Sequence, residues 1–231
     1  MDIAHAAGAE VYLDAVHHAP HDLIDVKAWD ADYCVCSAYK FFGPHVGLLW
    51  GRRARLEELV PYKLRPAPSL PPGKWMAGTQ NFAAIAGTKA AIDYIASIGA
   101  QDASGGDRRS HLRAAFAAIK EYEMILARQL LDGLQQMDGI TLYGIPAADP
   151  SQRVPTFAVN LRGLTSQQAA EQLAAKGIYA WGGDYYAVDV CEALGQQPDG
   201  MLRLGILHTN SAGDIANALD AIASELAAPV T

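Results

Sequence analysis

Two short apolar runs that flank one lysine constrain the fold of this chain more than any other feature. The first run covers residues 33–36 and the second covers residues 46–50, with Lys40 and a Phe-Phe-Gly-Pro turn between them. Both runs have the length and composition of buried β-strands. Because the link between them is too short for a crossover, the two strands are predicted to pair antiparallel.

The surroundings of Lys40 allow two interpretations. Buried strands and aromatic neighbours would partly desolvate the side chain, and desolvation favours the neutral amine that attacks a carbonyl. Alternatively, the side chain snorkels from the loop into water. The local sequence leaves both interpretations open.

Length and composition limit the class of protein. The chain has 231 residues, of which 51% are hydrophobic and 19% are charged, and its formal net charge is −7. Such a chain can bury a core in one large domain or two small ones. The scattered basic residues predict no nucleic-acid surface. No apolar run approaches the length of a membrane span, so we predict no membrane insertion.

The cysteines indicate a reducing compartment. The chain contains Cys34, Cys36 and Cys191, which provide no disulfide framework, and the first two share one strand face. Residues 1–15 lack a signal-peptide pattern. We therefore expect a cytoplasmic protein.

The order of elements predicts an α/β protein with two domains. In residues 1–107, a strand at 10–13 and a connection with some helix lead to the strand at 33–36, which suits a parallel pair. Residues 108–231 open on a long helix and continue as a small α/β domain with an antiparallel sheet. Its strands are predicted at residues 141–143, 156–161, 178–181 and 202–207.

Parallel pairing would bring Asp14 and the segment from Ser37 to Lys40 to one sheet edge. These residues follow the carboxyl ends of neighbouring strands, where open α/β sheets bind ligands. A carboxylate and a lysine are the two protein groups that a pyridoxal phosphate (PLP) site needs, and the Ser37 and Tyr39 hydroxyls suit a phosphate. Alternatively, Asp14 is a loop cap or a charge partner.

Thr79 and Arg203 are two further candidate binding residues. Thr79 precedes a helix predicted from Phe82, so it suits either a phosphate site or a plain helix cap. Arg203 interrupts an apolar strand, which suggests either a carboxylate ligand or a salt bridge at an edge strand.

A histidine-rich turn follows Asp14 and invites a metal interpretation. His17, His18 and His21 lie close in sequence, but Pro20 prevents a helix from pairing them, and no neighbouring residue completes a tetrahedral set. We predict no metal site there.

Four segments resemble the class V aminotransferases, which are fold-type I PLP enzymes, and look most similar to their cysteine desulfurase-like (NifS-like) branch. The segments are residues 12–17, 37–44, 78–81, and Arg203 with 208–210. The resemblance covers essentially the whole chain but only the C-terminal part of the family's fold. It implies a remnant of the large-domain sheet, comprising its last three strands, followed by the small C-terminal domain.

The resemblance implies PLP as the cofactor. By it, Lys40 is the lysine that forms the internal aldimine and moves the proton at Cα of the substrate. Asp14 is the partner of the pyridine nitrogen, and His17 stands beside the cofactor oxygen.

The resemblance also implies how phosphate and substrate are held. Ser37 and Tyr39 match phosphate-contacting positions, while Thr79 matches a residue that reaches the phosphate of a neighbouring subunit, which implies a homodimer. Arg203 matches the arginine that binds the carboxylate of a small amino-acid substrate.

Two departures from the family pattern limit these expectations. Tyr186 stands where desulfurases carry a nucleophilic cysteine, and Cys191 lies several residues later, so persulfide formation is not expected by the usual route. The N-terminal portion of the family's large domain has no counterpart here. We therefore expect a chain truncated at its N-terminus, or alternatively a silent half-fold that self-associates without binding PLP alone.

Overall fold

A computed structural model describes residues 1–100 and 105–227. The chain forms two compact units, Met1–Ala118 and Ile119–Thr231, which divide within one long helix. The predicted boundary between residues 107 and 108 stays a prediction. Within the described residues, no helix combines the length and apolar character needed to cross a bilayer.

A small mixed sheet organises the first unit. Its strands are β1 (Tyr12–Asp14), β2 (Tyr33–Ser37) and β3 (Gly47–Gly51), in that spatial order. β1 pairs with β2 in parallel and places Asp14 opposite Val35, whereas β2 and β3 are antiparallel. Both strand directions confirm the predictions.

The connection from β1 to β2 differs from the predicted one. Residues 15–32 are all described, and they form turns rather than the expected piece of helix. Pro20 has no amide hydrogen to donate, and the side chains of Asp22 and Asp25 accept hydrogen bonds from the nearby amides of Leu23 and Ala28. These local bonds compete with helix formation.

Among its described residues, the first unit also contains three α-helices, and a fourth helix leads from it into the second unit. They are α1 (Asp2–Ala6), α2 (Arg53–Glu58), α3 (Phe82–Gly99) and α4 (Arg108–Gln135). The proline-rich segment between α2 and α3 is irregular apart from a short 3-10 turn at Gly73–Trp75. From this turn, the buried Lys74 donates from Nζ to the Glu57 carbonyl at 2.8 Å. This bond gives a partner to one of the backbone carbonyls at the C-terminal end of α2.

A buried carboxylate joins the helical and sheet parts of the first unit. Asp32 is only 4% exposed; it accepts a hydrogen bond from the Val11 amide and lies 2.9 Å from Nε2 of His5. Arg52 adds an ion pair at 3.5 Å. The Val11 amide and His5 hold the pKa of Asp32 below its ordinary value.

The second unit contains a four-stranded antiparallel sheet. The strands are β4 (Ile140–Tyr143), β5 (Thr156–Leu161), β6 (Trp181–Gly183) and β7 (Met201–Gly205), in the spatial order β4-β5-β7-β6. The helices that follow α4 are α5 (Ser166–Ala175), α6 (Val188–Ala193) and α7 (Ala212–Ala227). This arrangement confirms the predicted small α/β domain.

One strand lies later in the sequence than predicted. We expected it at residues 178–181, but β6 begins at Trp181. The Ile178 amide still donates to the Leu173 carbonyl of α5, and Gly177 has a left-handed φ of 78°. Because these residues close the preceding helix, extended pairing begins only after them.

The core of the second unit is continuous. Side chains along β5 alternate between buried and half-buried, which is typical of a sheet covered on one face. Phe157, Val159 and Leu161 supply its buried side and pack with residues of α4, α5 and α7. The sheet therefore fixes the position of every residue on β7, including Arg203.

Candidate functional site

Asp14 and Ser37 lie at the carboxyl edge of the parallel strand pair in the first unit. Asp14 is the last residue of β1, and Ser37 is the last residue of β2. Asp14 is exposed, and its Oδ1 accepts a hydrogen bond of 2.9 Å from the Val16 amide. The edge predicted from strand order is therefore present, with the carboxylate turned toward solvent.

Lys40 lies in a 3-10 turn, Ala38–Phe41, that connects β2 to β3. Ala38 and Phe41 take the buried side of this turn, so Lys40 projects outward and is exposed. Its Nζ lies 5.9 Å from the ring centroid of Tyr39. Of the two interpretations of Lys40 given above, its exposure agrees with the one in which the side chain reaches water.

The backbone at Phe42 and Gly43 ends this turn with a sharp bend. Phe42 adopts a left-handed φ of 71°, and the Gly43 amide donates to the Ala38 carbonyl at 2.8 Å. A Cβ atom at Gly43 would lie 2.9 Å from the Cβ of Ala38, so only glycine fits without a shift. The Phe-Gly-Pro sequence thus fixes where Lys40 leaves the sheet.

Tyr39 and His17 each stack on a histidine. The Tyr39 ring lies 4.8 Å from that of His45 at an interplanar angle of 17°. His17 is exposed and stacks on the buried His21, with ring centroids 5.6 Å apart. Across the described ranges, no group of three or more histidine, cysteine or acidic side chains is arranged to hold a metal ion.

Thr79 precedes helix α3, as predicted, but it does not cap the helix. It is exposed in a bend, and α3 starts at Phe82 with Asn81 as its N-cap, whose side chain accepts a hydrogen bond from the Ala84 amide at 3.0 Å. The helix-cap role therefore belongs to Asn81. The Thr79 hydroxyl makes no contribution to capping.

Arg203 belongs to the second unit and occupies an interior strand. β7 lies between β5 and β6, so the edge-strand salt bridge considered above does not form. The guanidinium Cζ lies 4.8 Å from the Tyr185 ring centroid and 5.5 Å from that of Trp181. Among residues 1–100 and 105–227, no carboxylate pairs with this arginine.

The loop after β6 carries two tyrosines in an uncommon backbone conformation. Tyr185 and Tyr186 have φ values of 53° and 65°, which are left-handed and rare for non-glycine residues. Tyr186 is 95% exposed, while Tyr185 is half-buried, and burial raises the pKa of Tyr185. Conformations of this kind cost about 1–3 kcal/mol each and cluster at functional sites.

Cys191 does not replace the cysteine that is absent from this loop. It is fully buried in α6, and burial raises the pKa of its thiol. A reactive cysteine needs a stabilised thiolate and access to its substrate. Cys191 has neither property.

The first unit brings together the donor types that PLP requires. A carboxylate, a primary amine and two hydroxyls lie on one strand edge and the turn that follows it, at Asp14, Lys40, Ser37 and Tyr39. These groups fit a pyridine nitrogen, an aldehyde and a phosphate, respectively. His17 follows Asp14 by three residues, whereas Thr79 lies in a separate segment.

The aromatic partners of Arg203 and Tyr39 were not predicted from the sequence. Trp181 faces Arg203 across the β6–β7 pair, and His45 stacks on Tyr39. The first contact depends on strand register, which local sequence does not specify. The second could have been suspected from the short turn between the two predicted strands.

Sequence comparison places this chain among known proteins. The profile of the family described as "Aminotransferase class-V" matches residues 1–217. The "Aminotransferase-like protein FGM3" of Gibberella zeae is 31% identical over 220 residues, covering 93% of this chain and 51% of that protein. A "Cysteine desulfurase" of Serratia proteamaculans is 32% identical over 171 residues, covering 68% of this chain and 37% of that protein.

Solved structures agree with the sequence comparison. The cysteine desulfurase CsdA of Escherichia coli superposes with a TM-score of 0.77 at 25% identity, covering 97% of this chain and 54% of that one. The cysteine desulfurase of Thermococcus onnurineus shares the fold, with a TM-score of 0.83 at 22% identity and 98% and 55% coverage.

The chain spans about half the length of these relatives, or less. The matched part nevertheless includes every element that carries the candidate residues described above. On the family match and the shared fold, this chain belongs to the class V aminotransferase family, in its cysteine desulfurase-like, NifS-like branch.

Proposed function

We propose that this chain provides the lysine and carboxylate-binding residues of a PLP-dependent enzyme that acts on a small amino acid. The observation that carries the proposal is the placement of Asp14 and Lys40, one at the carboxyl end of β1 and the other just after the carboxyl end of β2. Open α/β sheets bind ligands at this edge. Membership of the family supports the choice of cofactor.

Each residue of the first unit has a distinct part in holding PLP. Lys40 is the point of covalent attachment, and Asp14 keeps the pyridine nitrogen protonated. His17 binds the ring oxygen, and the hydroxyls of Ser37 and Tyr39 bind the phosphate. Thr79 contributes its hydroxyl to the phosphate of the neighbouring subunit in a homodimer.

The chemistry divides between the cofactor and the protein. When bound, PLP supplies an electron sink for a bond broken at Cα of the substrate. The Lys40 amine takes and returns the proton at that carbon. Arg203 binds the carboxylate of the substrate, since its guanidinium fork has no carboxylate partner within the described residues.

The loop after β6 favours a reaction that uses no protein thiolate. Tyr186 occupies the exposed position at which a nucleophilic cysteine would be expected, and the nearby Cys191 is buried. We therefore propose that transamination, lyase or epimerase chemistry is favoured over desulfuration through a protein persulfide.

Titration of the chain with PLP tests the central assignment. We expect a visible absorption band from PLP linked to a protein amine, and we expect Lys40→Ala to remove it. Lys27→Ala is the matched control, because Lys27 is also an exposed lysine of the first unit. A band that survives Lys40→Ala, or one lost equally in the two variants, would contradict the role of Lys40.

A second candidate is a self-associating half-fold that does not hold PLP alone. The observation that favours it is the row of exposed apolar side chains after α2, where Val60 is 90% exposed, Leu64 is 70% exposed and Tyr62 is fully exposed. Apolar surface of this kind marks interaction sites. Sedimentation at several protein concentrations, with and without PLP, separates the candidates, since this one requires self-association with no PLP band.

A further inference from the structure

Two aromatic rings enclose the guanidinium of Arg203. Trp181 is the direct cross-strand partner of Arg203 in the β6–β7 pair, so both side chains lie on the same face of the sheet. Tyr185 approaches from the loop after β6, with its ring centroid 4.8 Å from Cζ. Aromatic faces attract a guanidinium, and the attraction grows when water is excluded.

Tyr185 is anchored at both of its ends. Its hydroxyl donates a hydrogen bond to the carbonyl of Met201, which lies two residues before Arg203 on β7. Its backbone is held at a φ of 53°. A non-glycine residue keeps such a conformation only where its surroundings over-determine it.

The surroundings of Tyr185 provide that constraint. A Cβ atom at Gly200 would lie 2.1 Å from the carbonyl carbon of Gly183, so the loop packs directly on the segment that enters β7. The Asp184 side chain accepts a hydrogen bond from the Tyr186 amide at 3.0 Å, and the Asp184 carbonyl accepts one from the Ala187 amide at 2.7 Å. These contacts fix the position from which the Tyr185 ring extends.

The edge of the guanidinium remains available for a ligand. Arg203 is half-buried, yet within residues 1–100 and 105–227 none of its guanidinium N–H groups has a protein acceptor. Carboxylates bind a guanidinium along its edge through two parallel hydrogen bonds, whereas aromatic rings contact its faces. The two kinds of contact are therefore compatible on one side chain.

We propose that Tyr185 is a positioning residue for Arg203: with Trp181 it fixes the plane of the guanidinium, so that the fork presents its edge to the carboxylate of the substrate. This inference rests on the proposed function, which assigns Arg203 to that carboxylate. The Tyr185 ring supplies the stacking, and its hydroxyl ties the ring to the strand that carries Arg203. A flexible arginine would instead lose conformational freedom on binding.

Acetate titrated against the full chain is a direct probe that does not depend on PLP. The NMR signal of the Arg203 Nε–Hε group reports both acetate binding and the ring-current effect of the two aromatic side chains. We expect Tyr185→Ala to remove the Tyr185 ring-current shift and to weaken acetate binding by about tenfold, within the range of cation–π energies. Tyr185→Phe keeps the ring but loses the bond to Met201, so about two- to threefold weaker binding is expected.

Tyr186→Ala is the matched control. Tyr186 has the same backbone conformation in the same loop but is 95% exposed. We expect the Tyr186→Ala variant to keep both the acetate affinity and the Arg203 signal of the parent chain. Equal effects at Tyr185 and Tyr186 would overturn the inference, because they would show general disturbance of the loop.

Arg203→Ala distinguishes a failure of the carboxylate-binding role of Arg203 from a failure of the positioning role of Tyr185. Because this variant lacks the Arg203 signal, its acetate binding is followed on the methyl resonance of acetate. If acetate binds equally well to Arg203→Ala, the carboxylate role of Arg203 fails, and the inference fails with it. If Arg203→Ala removes binding while Tyr185→Ala and Tyr185→Phe keep it, the proposed function survives and only the positioning role is overturned. Tyr185→Phe provides this test even if Tyr185→Ala does not fold.

Discussion

In the second unit, the side chains of β5 alternate regularly between buried and half-buried, whereas β1 and β3 of the first unit hold no fully buried residue. Leu49 and Trp50 of β3 are 56% and 38% exposed. The second unit thus completes its own core, while the sheet of the first unit keeps apolar surface of the kind that binds other protein surfaces.

The two units also differ in what holds them together. Leucine, isoleucine and phenylalanine side chains build the core of the second unit. The first unit buries several alanines and relies in addition on the charge network around Asp32, which includes His5 and Arg52. A small apolar core contributes less to stability than a large one, so polar contacts carry more weight in the first unit.

Removing a core side chain from the second unit should give the largest effect. Phe157 is 1% exposed, and Phe157→Ala should lower the free energy of unfolding of this unit by about 3–5 kcal/mol through the cavity it leaves. Hydrogen exchange of β5 amides measures the loss. Leu49→Ala is the control from the first unit and should change stability by about 0.5 kcal/mol or less. Similar losses in both variants would abolish the contrast between the units.

Neutralising Asp32 should be the most damaging polar change in the first unit. Asp32→Asn removes the buried charge that faces the Val11 amide, His5 and Arg52, and a loss of about 2–3 kcal/mol is expected for a buried carboxylate that loses its hydrogen bonds. Exchange of β2 amides provides the measurement. Asp30→Asn is the control, since the side chain of Asp30 is 61% exposed in the same network and should contribute about 0.5 kcal/mol or less. Equal effects would argue against the buried network.

Acid should destabilise the first unit by protonating the same carboxylate. The resulting loss of unfolding free energy should be smaller than the loss caused by Asp32→Asn. The pKa of Asp32 is lower in the folded chain than in the unfolded one. Its contribution to stability is therefore complete above about pH 4 and is lost as the pH falls through the folded pKa. Exchange of β2 amides as a function of pH measures this loss, which should be reduced in Asp32→Asn. If Asp32→Asn lost stability in acid to the same extent as the parent chain, Asp32 would not be the source of the acid response.

Loss of one helix cap should give the smallest and most local effect. Thr165 forms a capping box with Gln168 at the start of α5, in which each side chain accepts a hydrogen bond from the backbone amide of the other residue. Thr165→Ala should cost about 1 kcal/mol, and Thr165→Ser should retain most of the stability. Exchange of α5 amides tests this, and no change is expected in the first unit. A serine variant as unstable as the alanine variant would exclude capping as the cause.

Local sequence predicted much of the fold because it specifies local structure. The short link after Lys40 permits only an antiparallel return, and this determines the pairing of β2 with β3. Thr165 and Gln168 mark the start of α5 for a similarly local reason. The residue types at Asp14, Lys40 and Arg203 also predicted candidate sites, and the chemistry assigned to them stays a prediction.

Only the tertiary structure decided the environment of those residues. Lys40 is exposed because Ala38 and Phe41 occupy the buried side of its turn. Arg203 meets Trp181 and Tyr185 because β6 begins at Trp181, after the end of α5, and a different register would give it other neighbours. Strand register and burial depend on residues far apart in the chain, so the sequence alone determined the functional groups, whereas tertiary packing determined what surrounds them.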